Sequence, residues 1–250
     1  KLVTTVLAFL PTTLASVLTI NEKSFDITEI SDKKYYTTEV PYRWHIDRIN
    51  QIELPLDRDL FEPRPSFYND SVVFVVDTGV NVSHPLLEGR ATLGVNFVQG
   101  EEDYDYNSHG TFVASLVTGK HVGISTAKVV SVKVMDRNGS GSLRDVLLGL
   151  EWVSGQAKKD RCIVNMSLGG GFDSVFDDVV SELSKVCRIV VAAGNSASDA
   201  CGYSPASNSK AVTVGSLDND DTVSYFSNTG PCVDLYAPGR SIVGAGSTGT

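Results

Sequence analysis

Four positions along the chain carry residue types that are typical of catalysis. Asp77 and Asn195 each follow a short apolar run, and three glycines, 169–171, come after another. His109 opens a segment in which apolar residues recur with helical spacing. This set suits acyl transfer, because the acid can orient the imidazole, the imidazole can act as general base, and the amide can donate to an oxyanion. A nucleophile is missing from the set.

The residues around Asp77 predict the element that positions it. Residues 72–80 read VVFVVDTGV, an apolar run that ends in turn residues. Such a run is typical of a strand covered on both faces, as in the middle of a parallel sheet. Asp77 would then lie at the carboxyl end of the strand, the edge where ligands bind in open α/β sheets. A carboxylate at this place can also simply cap the following turn.

Strands and helices alternate along the rest of the chain. After a loop to about Asn107, the patterns predict a helix at 109–119, a strand at 127–136, a helix at 143–157, a strand at 163–168, a helix at 175–186, and strands at 188–195 and 210–217. This alternation predicts an α/β fold of three layers, with a mostly parallel central sheet and helices on both faces.

Length and composition indicate one globular domain. The chain has 250 residues, of which 42% are hydrophobic, enough to bury a full core. Its formal net charge is -9, from 30 acidic and 21 basic side chains, and it has no run rich in Lys or Arg. These features argue against a nucleic-acid-binding surface. No internal repeat or linker divides the chain.

The first residues have the layout of a secretory signal peptide. Lys1 precedes a short apolar run and small residues surround Ala15, so residues 1–15 are interpreted as a signal peptide. The run is too short to span a bilayer, and an ordinary apolar strand or helix end is the alternative. Residues 16–40 are interpreted as a short pro-segment or N-terminal arm. The predicted location is therefore the secretory pathway lumen or the cell exterior.

Export would place the four cysteines in an oxidising compartment. Cys162 and Cys187 each open an apolar run, so neighbouring strands would bring them to the same end of the sheet, either bridged or free. Cys201 and Cys232 flank a candidate loop-strand-loop segment and could close it. The sequence alone does not fix the pairing.

Six short motifs then occur in a fixed order. They are DTG at Asp77, HGT at His109, SLGGG from Ser167, AAGN ending at Asn195, YSPAS from Tyr203, and FSN followed by APG at Ala237. Together they make the chain resemble the subtilisin-like serine proteases (subtilases, peptidase S8), most closely the proteinase K and cerevisin-like branch. The order of Asp before His also agrees with subtilisin, in which serine comes last. The resemblance covers residues 41–250, interpreted as a peptidase domain, and implies a serine endopeptidase.

The resemblance implies a role for each motif. Asp77 would orient His109, His109 would take a proton from the serine, and Asn195 would stabilise the oxyanion. Two glycine-containing segments would bind the substrate as an added β-strand, and the AAG segment would line the pocket for the residue before the scissile bond. The substrate-binding residues so implied are Gly139, Ser140, Gly141, Ser167, Leu168, Gly169, Ala192, Ala193 and Gly194.

The resemblance also implies stabilising links and partners. It implies a disulfide between Cys201 and Cys232. It further suggests a structural calcium ion bound by Asp234 and by carbonyls near Ser209 and Ala211, with water completing a shell of about six to eight oxygens. No cofactor is expected for catalysis. The expected partners are peptide or protein substrates and a propeptide or protease inhibitor, with no nucleic acid, a monomeric state and no membrane attachment after signal removal.

The sequence departs from the family pattern at three places. The nucleophilic serine of the family lies further beyond the APG motif than Thr250, so we expect it beyond residue 250 and the domain to be truncated at its C-terminus. The alternative is that Gly249 and Thr250 are themselves the start of the serine motif, after an unusually short loop, with the serine at the next position. Phe112 replaces the second histidine of HGTH, and Ser115 replaces a nearby glycine. Both changes are expected to be tolerated because neither position transfers a proton.

Two other functions fit parts of the sequence. DTG also occurs in aspartic proteases, where two carboxylates share a proton, but the chain has no second DTG. The other alternative is a catalytically inactive protein of the same fold that binds peptides without cutting them. The missing serine allows it, whereas the joint presence of Asp77, His109 and Asn195 argues against it. A serine encoded after residue 250 would separate these two possibilities.

Overall fold

The computed structural model describes residues 3–7, 17–21, 42–63 and 70–247. The first two ranges are strands that pair antiparallel. The rest of 1–15 and of 16–40 lies outside the described residues, so the signal peptide and the pro-segment stay predictions. Within the described part of the chain, no helix is long and apolar enough to cross a membrane.

Eleven strands and four α-helices make up the described structure. The strands are β1 Val3–Leu7, β2 Val17–Asn21, β3 Val72–Asp77, β4 Ala91–Asn96, β5 Lys128–Lys133, β6 Cys162–Met166, β7 Gly170–Gly171, β8 Arg188–Ala192, β9 Tyr203–Ser204, β10 Val212–Leu217 and β11 Leu235–Pro238. The helices are α1 Trp44–Arg48, α2 His109–Thr118, α3 Leu143–Gln156 and α4 Ser174–Leu183. Short 3-10 turns occur at Pro85–Leu87 and Ala200–Gly202.

Seven of these strands form one sheet in the order β11-β10-β8-β6-β3-β5-β4. Every neighbouring pair is parallel. The predicted α/β class with a parallel central sheet is therefore confirmed, and β3 lies inside the sheet between β6 and β5. Since all seven strands point the same way, the residues that follow them collect along one edge.

Alternate residues of β3 pack on opposite faces of the sheet, as the period of two in a strand requires. Val73 and Val75 belong to the core that contains α2. Phe74 and Val76 belong to the core that contains α3 and α4. Helices thus cover both faces, which confirms the three predicted layers and explains why β3 has no polar residue before Asp77.

Polar caps fix where the two helices on the second face begin. Ser142 Oγ accepts a hydrogen bond from Asp145 N at 3.1 Å at the start of α3. Asp173 Oδ1 accepts one from Phe176 N at 2.9 Å at the start of α4. Such caps satisfy backbone donors that have no partner within a helix. The predicted helices and strands agree with the observed ones to within a few residues at most ends.

Two strands of the sheet were not expected. The prediction of an uninterrupted loop after Asp77 is wrong, because Ala91–Asn96 forms the edge strand β4. Only Ala91 of this strand is buried, and Leu93 is 49% exposed, so no apolar run indicates it. β11, at the opposite edge, is a four-residue strand that ends in Pro238.

Both cysteine pairs are bridged. The Cys162–Cys187 disulfide joins the amino ends of the adjacent strands β6 and β8, which settles the alternative that the sequence left open. The Cys201–Cys232 disulfide is the one that the family resemblance implied. No free cysteine remains, because these four are all that the chain contains.

Candidate active site

Asp77 and His109 are in direct contact at the carboxyl edge of the sheet. His109 Nδ1 lies 2.6 Å from Asp77 Oδ1, and the two residues are 3% and 0% exposed. Asp77 Oδ1 also accepts a hydrogen bond from Thr78 N at 2.7 Å. In this geometry Nδ1 carries a hydrogen that it donates to the carboxylate, so the lone pair of the neutral ring is on Nε2. The contact therefore fixes both the orientation and the tautomer of the imidazole.

Two glycines allow the helix that carries His109 to approach the strand that carries Asp77. Gly79 turns the chain with a positive φ of 108°, a conformation that glycine adopts readily. A Cβ placed on Gly110 would lie only 2.0 Å from Gly79 O. Gly110 N donates to Thr78 Oγ1 at 3.0 Å. The glycines of DTG and HGT are thus the reason that the two motifs can touch.

Asp105 is a site residue that sequence reasoning missed. This buried carboxylate precedes α2 and joins the two motifs. It accepts five hydrogen bonds, from Thr78 Oγ1, Asn107 N, Ser108 N, Thr111 N and Thr111 Oγ1, at distances of 2.6 to 3.1 Å. A carboxylate near the first turn of a helix is favoured by the helix dipole. The available signal was an acid shortly before a predicted helix, but the segment 101–105 reads as a general acidic patch.

A buried ion pair, whose lysine lies on the neighbouring strand β5, supports the DTG turn. Lys133 pairs in register with Asp77 on the neighbouring strand and is 0% exposed. Its Nζ donates to Thr78 O at 2.6 Å and to Met135 O at 2.9 Å, and lies 3.0 Å from Glu101 Oε2. The peptide bond after Asp77 is thereby anchored to strand β5.

The charge of Glu101 is stabilised by its neighbours. Burial raises the pKa of Glu101, but hydrogen bonds from Arg137 N, from the Arg137 side chain and from Lys133 outweigh burial and lower it to about 2. The two bonds from Arg137, to Oε1, measure 3.0 Å and 2.9 Å. Glu101 therefore stays ionised at all but strongly acidic pH.

Asn195 follows strand β8 at the same edge. Both polar atoms of its side-chain amide are buried, and neither has a hydrogen-bond partner among the described residues. A buried amide without partners is costly for folding, and a catalytic role is one of the reasons for which such a group is kept in a protein. The amide is thus available to a group that the described chain does not supply.

Asn228, from the FSN motif, holds the loop that carries Asn195. Its Nδ2 donates to Ala193 O at 2.9 Å, and its Oδ1 accepts from Ser196 N at 2.9 Å and Ser198 N at 3.1 Å. Gly194 has a φ of 106°, and a Cβ there would lie 2.4 Å from Asn228 Nδ2. This second residue was missed as well, although FSN was recognised as a motif.

The structure brings five of the predicted substrate-binding residues to one cleft. The cleft has a volume of about 410 Å³ and an apolar lining that includes Met135, Val146 and Phe176. On its walls lie Gly139, Ser140, Gly141, Leu168 and Gly169.

The other four predicted substrate-binding residues are placed differently. Ser167 is 0% exposed, and its Oγ accepts a hydrogen bond from Asn165 Nδ2 at 2.9 Å. The side chains of Ala192 and Ala193 are buried, at 6% and 1% exposure. Any contact of these two alanines with a substrate would therefore be made by their backbone. Gly194 is half-buried beside Asn195.

The residues predicted to bind calcium lie beside strand β10. Asp234 is exposed, and its Oδ2 accepts a hydrogen bond from Thr213 N at 2.8 Å. Ser209 is exposed and Ala211 is buried. Among the described residues, no group of three or more His, Cys, Asp or Glu side chains could hold a metal ion. One carboxylate with two carbonyls would leave most of the calcium shell to water, and this ion stays a prediction.

The two substitutions within α2 pack against the segment 242–247. Phe112 is 1% exposed, and a Cβ on Gly244 would lie 2.6 Å from its ring. Ser115 Oγ accepts a hydrogen bond from Ala245 N at 2.9 Å. Ser247 N donates to Ser108 Oγ, next to His109, at 3.0 Å. Phe112 and Ser115 thus complement small residues elsewhere in this chain.

The fold and the site together define a class of hydrolase. A parallel α/β sheet carries on one edge a carboxylate bound to an imidazole and, two strands away, an amide without a partner in the described part of the chain. The sequence profile of the subtilase family, peptidase S8, matches residues 69–250. The chain belongs to this family of serine proteases, which excludes an aspartic protease.

Named relatives agree with this assignment. Subtilisin-like protease 2 of Pseudogymnoascus destructans is 42% identical over 177 residues, which are 70% of this chain and 44% of the relative. Subtilase-type proteinase psp3 of Schizosaccharomyces pombe is 44% identical over 176 residues, covering 68% of this chain and 39% of the relative. The chain thus spans about half or less of the length of the curated relatives it matches.

A solved structure shows the same fold. The crystal structure of a cold-adapted subtilisin-like serine proteinase superposes with a TM-score of 0.77 at 39% sequence identity. The match covers 82% of this chain and 76% of that one. The predicted resemblance to subtilisin-like serine proteases is therefore confirmed.

Proposed function

We propose that the protein is a secreted endopeptidase that hydrolyses peptide bonds with Asp77, His109 and a serine that lies beyond residue 250. The contact of 2.6 Å between His109 Nδ1 and Asp77 Oδ1 carries this proposal. It gives the imidazole the tautomer in which Nε2 can accept a proton. A general base with this tautomer is what a serine nucleophile needs.

The proposed reaction uses each of these groups in turn. His109 Nε2 takes the proton of the serine hydroxyl as the oxygen attacks the scissile carbonyl, and Asp77 stabilises the imidazolium that forms. Asn195 Nδ2 donates to the negative oxygen of the tetrahedral intermediate. His109 then gives the proton to the leaving amine. In the second half of the reaction, water attacks the acyl group while His109 takes its proton, and His109 returns that proton to the serine oxygen.

Substrate would bind as an extended strand between the two walls of the cleft. Gly139, Gly141 and Gly169 expose backbone there, and backbone hydrogen bonds in an added strand do not depend on sequence. Peptide or protein segments are therefore the proposed substrates. A propeptide or an inhibitor could occupy the same cleft in the same way.

Secretion, a monomeric state and calcium complete the proposal. Two disulfides support an oxidising compartment, because such bonds are rare in the cytosol of most organisms. Calcium would link Asp234 to the carbonyls of residues 209 and 211 and act as a structural ion only.

A fluorophosphonate probe tests the catalytic proposal on the full-length protein. The probe should label one serine covalently, and His109→Ala should abolish labelling because the base is lost. His121→Ala is the matched control, since His121 is exposed and lies outside the site. Absence of labelling in folded wild-type protein, or equal labelling in His109→Ala, would refute the proposal. Peptide binding without labelling would instead identify an inactive binding protein.

A further inference from the structure

A basic cavity lies at the amino edge of the central sheet, opposite the catalytic edge. Its volume is about 310 Å³, at the lower end of the range of about 300–1,000 Å³ that is common for ligand sites. Among the described residues that line it, Asp160 is the only acidic one. The cavity is lined by five basic residues, Lys159, Arg161, Lys185, Arg188 and Lys210.

The parallel sheet brings three of these cations together. Arg161 precedes the first residue of β6, Arg188 is the first residue of β8, and Lys210 shortly precedes β10. These strands are consecutive in the sheet, and neighbouring strands lie about 4.8 Å apart. The buried Cys162–Cys187 disulfide links the first two strands at the same level and forms part of the cavity wall.

The cations are available to a ligand. Arg188 and Lys210 are exposed and form no ion pair with any described residue. Arg161 pairs with Asp70 at 3.1 Å and Lys185 with Glu182 at 2.6 Å, but all four side chains are at least 55% exposed. Exposed pairs of this kind contribute little free energy, so a multiply charged ligand can replace them.

Helix dipoles explain only part of this basic cluster. Lys185 follows the C-terminus of α4, where a positive charge is favourable. Arg188 and Lys210 belong to strand starts and have no such explanation. The cluster is also unexpected from composition, since the whole chain carries a net charge of -9.

We propose that this cavity binds a ligand that carries several sulfate or phosphate groups close together. Arginine forms paired hydrogen bonds with such oxyanions, and lysine adds a mobile point charge. Arg161 and Arg188 would each bind one sulfate or phosphate group of the ligand. Lys159 and Lys210 would add positive charge at the rim of the cavity. The cavity lies roughly 20 Å from the level of Asp77, at about 3.3 Å per strand residue. A ligand bound in this cavity therefore holds the protein in place and does not enter the catalytic cleft.

The test measures the affinity of the full-length protein for two probes, a heparin-derived tetrasaccharide and inositol hexakisphosphate. Calorimetric titration in about 0.15 M salt limits non-specific attraction. The double variant Arg188→Gln, Lys210→Gln should bind at least about tenfold more weakly. The control Lys120→Gln, Arg144→Gln removes two exposed positive charges elsewhere and should bind as wild type does.

Each outcome decides the proposal. Binding of either probe with selective loss in the first double variant supports it, and the probe that binds identifies sulfate or phosphate as the source. Lack of binding by both probes, or equal weakening in the two double variants, would overturn it. Cleavage of a short peptide should stay unchanged in both variants, which separates this site from the proposed catalytic function.

Discussion

At the scale of single residues, Asn195 combines a cost in stability with a proposed role in catalysis. Both polar atoms of its amide are buried without partners among the described residues, whereas the buried amide of Asn208 has partners for both. Asn208 donates to Asp177 O at 2.6 Å and accepts from Lys210 N at 2.8 Å. The two asparagines therefore separate function from stability within one protein.

Asn195→Leu is expected to lower kcat of the full-length enzyme by a factor of about 10² to 10³, because one donor to the oxyanion is lost. The temperature of unfolding should stay the same or rise, since an unsatisfied polar group is replaced by an apolar one of similar shape. Peptide hydrolysis and thermal unfolding measure the two effects. Asn208→Leu should lower the temperature of unfolding and leave kcat unchanged. A loss of stability in Asn195→Leu would contradict this interpretation.

At the scale of elements, the site depends on how closely α2 approaches the turn after β3. The nearest contact is between Gly110 and Gly79, where no side chain fits. Asp105 then fastens the first turn of α2 to the same strand end. The position of His109 is therefore set by helix packing as much as by its own hydrogen bond.

Gly110→Ala should destabilise the protein by about 3 kcal/mol, because the added methyl group overlaps Gly79 O and the helix must shift. Gly155→Ala in α3 is the matched control. Beyond its own helix turn, no described atom lies within 4 Å of a Cβ at Gly155, so alanine there should stabilise the helix by up to about 1 kcal/mol. Denaturant unfolding gives both values, and equal effects of the two substitutions would refute the packing argument.

Most of the elements could be predicted from the sequence because their patterns are strong. The apolar run before Asp77 and the helical spacing after His109 each reflect complete burial. β4 could not be predicted, since an edge strand with mostly exposed residues has no apolar pattern. β11 is equally hard to predict because it is short and ends in proline.

The site could be predicted where a motif names the residue, as for Asp77 and His109. The residues that hold the motifs in place could not be predicted from the sequence. Asp105 and Asn228 act through hydrogen bonds to several backbone N–H groups and one carbonyl that are distant in sequence or depend on local turns. No periodicity or spacing in the sequence records such contacts, which form only when the elements meet.

At the scale of the whole molecule, the buried pair of Glu101 and Lys133 links stability to pH. The lowered pKa of Glu101 means that its charge stabilises the fold at neutral pH. This contribution is complete above the ordinary pKa of a glutamate, 4.5, and is lost as the pH falls toward about 2. Acid should therefore loosen the region beneath the DTG turn.

Glu101→Gln should be less stable than wild type at pH 7, because Lys133 loses its partner while remaining buried. The difference should shrink as the pH falls from about 4.5 toward about 2, where wild-type Glu101 becomes neutral as well. Thermal unfolding across this range is the measurement. Glu182→Gln, which removes an exposed pair with Lys185, should change little at any pH, and a constant difference for Glu101→Gln would contradict the linkage.

The common direction of the seven strands gives the molecule a front and a back. The cleft and the Asp77–His109 pair face one way, and the basic cavity faces the other. If the basic cavity binds sulfate groups as proposed, beads coated with a sulfated polymer would hold every molecule by its back, with the cleft turned toward solution. Chemical coupling through scattered lysines would orient molecules at random and block some of the clefts. Adsorbed protein should thus retain more activity per molecule than coupled protein.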